Sequence, residues 1–507
     1  MVLLRIGRPA ARLLIAGAAC ALLAAGGLAA PSAAAPVPEP RWATPAELEN
    51  FVRARYSELA LPGLAVIVLA EGKVLFEGVY GEAAPGRQVT LDTPFRLGST
   101  SKQYTGLAIQ QLVGAGELAL DTPVAAVLPE FGSAPGWSQT TVADLLSHRS
   151  GISTRAGLDF FGPFPATHTL TAEAQRLAGL PLAHPAGQVH EYSNANYSLL
   201  GAIIERVTGL AYPAALRDLV TGPLGLAATS ADPLAGPGDG VAAEFYPWLG
   251  AWNVPTPTPP PGEVGVPSAY VASSARDLAT VLQAHLAAAP GLPPEVLAAS
   301  REPLGAVDEY SGYASGWVVR SFWELTDFDQ GWDDPDRPRL WEHHGDTQRS
   351  QSYLSLSPEY GLGVVALTNT GPGTDRERWP TFMYQLHHAV LGTIGNPPRP
   401  DPLVAVAPAL MVALPLLQFL TLGWLASGSL RRRPRPWVPL ALGGALAALS
   451  VWFAVVVLPE RTGQALVDTI WMVAIPDLAI AVALMLLGAA GYLALATTRL
   501  LSRRGTA

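Results

Sequence analysis

The sequence predicts an α/β (α+β) domain over residues 40–398, followed by three membrane-spanning helices. Three observations carry that reading. Strand-like runs joined by tight turns stand at both ends of the segment, in "PGLAVIVLAEGKVLFEGVYG" and "SYLSLSPEYGLGVVALTNT", the pattern of sheet hairpins. Amphipathic helical repeats lie between them, as in "NANYSLLGAIIERVTG". Hydrophobic residues are 49% of the chain, and they crowd into the first 30 or so positions and the region after Arg399. The middle is left with the mixed composition of a globular domain.

The elements follow in chain order. Arg5, Arg8 and Arg12 flank the apolar run "LLIAGAACALLAAGGLAA", so residues 1–35 form a secretory signal. It is either cleaved between Ala30 and Pro36 or retained as an anchor. The single cysteine, Cys20, lies inside this run. A cleaved chain therefore holds no cysteine, which excludes disulfides and thiol chemistry. Thr44, Pro45 and Glu47 open the domain with a capping box and a helix. The first hairpin turns at Glu71-Gly72-Lys73.

"FRLGSTSKQYTGLAIQQL", Phe95–Leu112, is the first stretch with chemistry in it. The chain has two lysines against thirty arginines, and Ser99 is the only serine with lysine three places on. Arginine cannot give up its proton in a protein, whereas lysine can when its surroundings lower its pKa. Ser99 falls at or near a helix N-terminus, where the dipole favours developing negative charge. Lys102 lies one turn on, and helical side chains lean back toward the N-terminus, so its amine reaches the serine oxygen. Lys73, in the hairpin turn, faces water.

In "HEYSNANYSLLGAIIERVTG", Tyr192 and Asn194 stand two apart and point the same way in extended backbone. They are either site residues or a core tyrosine and a helix cap. In "LWEHHGDTQRSQ", adjacent histidines face opposite sides of a strand, so only one of His343 and His344 can share a face with Gly345. No third ligand at zinc spacing is evident there, and His387-His388 on a later helix reads as structural. The net charge of −9 and the lack of a basic stripe exclude nucleic acid as a partner.

The membrane domain, 399–507, has apolar stretches at about 403–426, 438–458 and 472–497, each near the ~20 residues a bilayer requires. "RRRPRP" follows the first stretch and "RLLSRRGTA" ends the chain. Positive loops stay inside, which places the middle domain outside, as the signal does independently. The expected location is thus the cell membrane, multi-pass, with the catalytic domain extracytoplasmic. Asp477 is either an intramembrane functional acid or part of a cap at the start of the third helix.

The motifs "STSK", "YSN" and "HHG", in this order and with flanks such as "TVADLLSHRSGI" and "SSARDLATVLQAHL", resemble the serine β-lactamase and penicillin-binding protein superfamily over residues 42–395. The likeness is to its branch of class C β-lactamases, DD-peptidases and family VIII-type esterases. It implies a β-lactamase/transpeptidase-like fold: an antiparallel sheet flanked by helices and built from both ends of the domain, with a helical subdomain inserted at roughly 115–270. It also implies roles. Ser99 would be the nucleophile and Lys102 its proton partner. Tyr192 would be the general base or its relay, and Asn194 would hold a substrate amide or orient Lys102. His343 would stand in the place of the third-motif lysine. The Ser99 amide and the Asp346 amide after Gly345 would form the oxyanion hole. No cofactor is implied.

Two departures bear on substrate. His343 replaces a lysine, which weakens the β-lactamase alternative. Arg349 and Ser350 replace a glycine and an aromatic residue, and Arg349 either binds a substrate carboxylate bidentately or faces solvent in a turn. The function expected is a membrane-tethered serine hydrolase that forms an acyl-enzyme with small-molecule esters or D-alanyl and cell-wall peptides. A non-catalytic penicillin-binding-like sensor is the reading from another class. Substrate identity and oligomeric state stay open.

Overall fold

The computed structural model describes residues 40–157, 168–249, 252–256, 262–287, 291–322, 332–333, 337–347, 349–373, 377–393, 402–426, 437–453 and 476–504. The expected signal at 1–35, the arginine-rich loop at 431–436 and the loop after residue 458 fall outside them. Helix α1 (Pro45–Leu59) starts at the predicted capping box, in which Thr44 Oγ1 accepts the Glu47 amide and the Glu47 carboxylate accepts the Thr44 amide. Strands β1 (Gly63–Ala70) and β2 (Lys73–Ala84) form the first hairpin, and β3 (Arg87–Gln88) extends it. Helices α2 (Ser101–Gly114) and α3 (Asn194–Thr208) follow, then a separate hairpin of β4 (Phe245–Trp248) and β5 (Trp252–Pro255), and α4 (Ala275–Ala287). Strands β6 (Gly305–Ala306), β7 (Ser311–Tyr313), β8 (Val318–Ser321), β9 (Arg339–Asp346), β10 (Gln351–Ser357) and β11 (Leu362–Thr368) precede α5 (Arg378–Val390).

Among the described residues nine strands make one sheet in the order β3-β2-β1-β11-β10-β9-β8-β7-β6. Every named pairing in it is antiparallel. The early strand β1 pairs with the late strand β11, Leu64 opposite Thr368, so both ends of the domain close the sheet. The runs "GLAVIVLA" and "LGVVALT" are apolar throughout because both faces of their strands are covered. Ala65, Ile67, Leu69, Val365 and Leu367 join one core, and Leu64, Val66, Val68, Val364 and Ala366 join the other. The first core lies toward α2, α3 and α4, and the second toward α1 and α5. Successive strand side chains point to opposite faces, which is how one strand serves two cores. Between α2 and α4 the chain is mainly helical, with Val142–Leu146, Leu170–Ala178 and Tyr212–Leu216 beside α3.

The last three helices are α6 (Pro402–Ala426), α7 (Trp437–Trp452) and α8 (Pro476–Arg504). They fall where the apolar stretches were expected, although α8 starts four residues after position 472. Among the described residues no single helix is long and apolar enough to cross a membrane, the apolar helical runs being Ala409–Trp424, Gly443–Trp452 and Ala479–Leu495. Asp477 stands in the first turn of α8, where the cap reading places it, and it has a further role. Buried in the first turn of α8, its carboxylate accepts the Tyr246 hydroxyl at 2.5 Å and the Leu249 amide at 2.7 Å. The acid thereby ties α8 to the β4–β5 hairpin, beside an apolar cluster of Tyr246, Met411, Leu414, Val482 and Met485.

Candidate active site

Ser99 sits in a 3-10 turn, Gly98–Thr100, immediately before α2. The turn is held from the sheet side. Thr100 Oγ1 donates to the Leu97 carbonyl at 3.0 Å and lies 2.7 Å from Ser352 Oγ on β10. Two glycines permit the contact between this turn and β9. Gly98 has φ +58°, and a Cβ there would lie 2.1 Å from the Asp346 nitrogen; one at Gly345 would lie 1.8 Å from the Leu97 oxygen. Glycine is the residue for both reasons, a positive φ and close backbone approach. The outcome is an Asp346 amide lying against the Ser99 turn.

Lys102, in the first turn of α2, is fully buried. Its Nζ is 3.1 Å from Ser99 Oγ, 2.8 Å from Asn194 Oδ1 and 2.9 Å from the Ser268 carbonyl. Tyr192 Oη donates to the same Ser99 Oγ at 2.8 Å. Burial drives the Lys102 pKa well below the ordinary lysine value, because a charge in a dry interior is costly. A neutral amine has two N–H donors and one lone pair. Asn194 Oδ1 and the Ser268 carbonyl are acceptors and take the two donors, which leaves the lone pair for the Ser99 hydroxyl proton. Burial also raises the Tyr192 pKa, only partly offset by its hydrogen bond to Ser99, so the phenol stays protonated.

The remaining predicted residues divide. Asn194 opens α3 and is occupied by Lys102. His343 and Gly345 do share a face of β9: the His343 ring is 6.3 Å from the Tyr192 ring, whereas His344 turns away to Tyr353, 4.6 Å between centroids. Burial is the largest influence on His343, with Lys102 in its protonated form acting in the same direction, and its pKa falls to about 3. Arg349 does not face solvent. It is 8% exposed, in a loop pinned by Ser350 Oγ donating to the Arg96 carbonyl at 2.7 Å, and its charge bears on the buried Tyr270 phenol. His387 and His388 bond Ser355 and Thr393 respectively, and among the described residues no cluster has the makings of a metal site.

Sequence reasoning missed the Ser268 carbonyl, His148 and Tyr313. The His148 ring stacks under Tyr192 at 4.2 Å and meets Tyr313 edge-on at 4.9 Å. Its one sequence signal was its place in "TVADLLSHRSGI". Its backbone is left-handed, φ +56°, a conformation that costs a non-glycine residue free energy and gathers at functional sites.

Comparison with known proteins agrees with this geometry. The Beta-lactamase family model matches residues 48–387. Penicillin-binding protein 4 of Amycolatopsis lactamdurans is 32% identical over 360 residues, 68% of this chain and 89% of that protein. Esterase EstB of Burkholderia gladioli is 34% identical over 367 residues, 64% of this chain and 90% of that protein. A class C beta lactamase structure from Rhodobacter sphaeroides aligns with a TM-score of 0.57 at 25% identity, over 68% of this chain and 99% of its own.

Proposed function

The chain belongs to the Beta-lactamase family of serine hydrolases, and on that premise we propose that it is a membrane-tethered extracytoplasmic hydrolase whose Ser99 forms an acyl-enzyme with esters. The observation that carries this is the buried Lys102 amine 3.1 Å from Ser99 Oγ, with the Tyr192 hydroxyl 2.8 Å from the same oxygen. Neutral Lys102 takes the Ser99 proton as Oγ attacks the substrate carbonyl. The Ser99 and Asp346 amides receive the oxyanion, a contribution of about 3 kcal/mol per donor in such sites. Tyr192 gives its proton to the departing alkoxide, and the adjacent Lys102 ammonium, 4.8 Å from the Tyr192 ring centre, supplies the proton that restores the phenol. Water then repeats the sequence on the acyl-enzyme, releasing the acid and restoring Ser99. D-alanyl peptides are the second substrate class, favoured by the 32% identity to a penicillin-binding protein. Turnover of β-lactams is the least favoured, because His343 supplies no fixed charge.

Intact-mass analysis after fluorophosphonate treatment is expected to show one adduct, absent from Ser99→Ala. An adduct that survives the substitution places the nucleophile elsewhere and ends this reading.

Support for the tether comes from three consecutive apolar helices whose outward side chains include Leu416, Leu420, Leu487 and Leu493, together with the arginines of the loop and the tail. A reporter active only in the cytoplasm, fused after Gly505, is expected to be on, and the same reporter near Pro397 off. The reverse pattern refutes the topology without touching the chemistry.

A further inference from the structure

The hydrogen bonds around Tyr313 fix where the protons are on two histidines. His148 Nδ1 lies 3.2 Å from the Ser193 amide nitrogen and 3.1 Å from Asn196 Nδ2. The Asn196 amide is oriented by Ser150 Oγ, which donates to its Oδ1 at 2.5 Å. Two donors therefore point at His148 Nδ1, so the neutral ring carries its proton on Nε2. That Nε2 is 3.3 Å from Tyr313 Oη and donates to it. The Tyr313 hydroxyl proton is then available to His343 Nε2, 3.1 Å away, with the Tyr197 oxygen as the competing acceptor. His343 Nδ1 is 2.7 Å from the His344 carbonyl, which only accepts, so Nδ1 carries the second ring's proton. One set of proton positions satisfies the whole chain Ser193–His148–Tyr313–His343–His344.

All three side chains are buried. The neighbouring Tyr197 hydroxyl commits its own proton to the Leu146 carbonyl at 3.0 Å. The groups whose charge bears on His343 are Lys102, His344 and Glu342. Its burial and Lys102 oppose protonation most, against smaller favourable effects from the His344 carbonyl and Glu342. His148 is held neutral by burial, with Lys102, His190 and His343 acting in the same direction.

We propose that Tyr313 is a specificity-determining positioning residue: its hydroxyl, oriented by His148, engages His343 Nε2, so that the imidazole at the edge of the site offers substrate neither an N–H nor a positive charge. The site then takes esters that are uncharged around the scissile bond and discriminates against those carrying a carboxylate on the leaving group. This rests on the acyl-enzyme reading of Ser99 and narrows its substrate class.

Tyr313→Phe removes the hydroxyl and little else. His343 Nε2 loses its donor, so the ring proton is no longer confined to Nδ1, while burial and Lys102 still oppose a charge on the ring. Two readouts apply. In ¹⁵N-histidine-labelled parent protein, the His343 ring is expected to stay neutral with Nδ1 protonated between about pH 5 and 8, and in Tyr313→Phe the neutral ring is expected to show a substantial share of the Nε2-protonated tautomer. For the butyrate esters of phenol and of 3-hydroxybenzoic acid, the parent is expected to favour the uncharged ester. The variant is expected to recover the carboxylate-bearing ester by about tenfold through KM, the scale of a hydrogen bond to a charged group, because Nε2 freed of Tyr313 can carry the ring proton and donate it to the carboxylate. Parent protein with His343 protonated on Nε2 overturns the proposal even if the variant does not fold. Equal turnover of the two esters by the parent also overturns it while leaving the hydrolase intact. Absence of any fluorophosphonate adduct would instead remove the reading on which it rests.

Discussion

Lys102→Arg is expected to lose acylation of Ser99 as completely as Lys102→Ala, by roughly 10²–10⁴-fold, the range of a general base. Arginine keeps the positive charge and the helix, and it fails for two physical reasons. It cannot release its proton, so it has no lone pair for the Ser99 hydroxyl. It also brings a larger, permanently charged group into a space that is fully closed to solvent, with overpacking alone costing about 1–3 kcal/mol. Lys102→Met separates these reasons, because it keeps the length of the side chain and removes the base. It is expected to fold and to lose acylation. Single-turnover acylation rates, with circular dichroism on each variant, decide the matter. Near-parental acylation by Lys102→Arg would mean that the lysine acts only as a charge.

That prediction was legible in the sequence, and the reason is local. Ser99 and Lys102 are three residues apart at a helix start, and helical geometry alone brings them together. The same holds for His343 and Gly345, whose shared face follows from strand alternation, and for the capping box at Thr44. Tyr192 and Asn194 were identified by motif, but their division of labour was not. Only the tertiary structure shows Asn194 taken up by Lys102 and the Tyr192 hydroxyl on Ser99 Oγ. Arg349 was open between ligand and solvent, and neighbours distant in sequence bury it. His148, Tyr313 and Ser268 come from three separate segments, so no spacing rule joins them. The Asp477–Tyr246 bond spans 231 residues and was equally invisible. In the C-terminal region hydropathy placed the three helices, because a long apolar run is legible without any distant partner.

Arg320→Met is expected to be among the most destabilising substitutions in the sheet, by about 3–5 kcal/mol, the usual consequence of leaving one member of a buried ion pair alone. Arg320 on β8 is opposite neighbouring β9, where its Nε lies 2.7 Å from Glu342 Oε1 and its second guanidinium nitrogen 3.2 Å from Oε2. Both side chains are nearly closed to solvent, and the Tyr353 hydroxyl donates to the same carboxylate. Burial by itself raises the Glu342 pKa, but the Arg320 charge and hydrogen bonds outweigh it and bring the value down to about 2. The folded value is below the ordinary glutamate value of about 4.3, so the unfolded chain binds this proton first. The stabilisation is therefore full above about pH 4.3 and is lost as pH falls toward 2, an amount of roughly 3 kcal/mol. Arg320→Met/Glu342→Gln removes both charges and is expected to recover much of the loss and to flatten this acid dependence. Urea unfolding of the three proteins at about pH 7 and pH 3 tests it. Because Glu342 precedes His343 on the same strand, the pair also anchors the edge of the site. An Arg320→Met protein as stable as the parent would show that the carboxylate finds its compensation elsewhere.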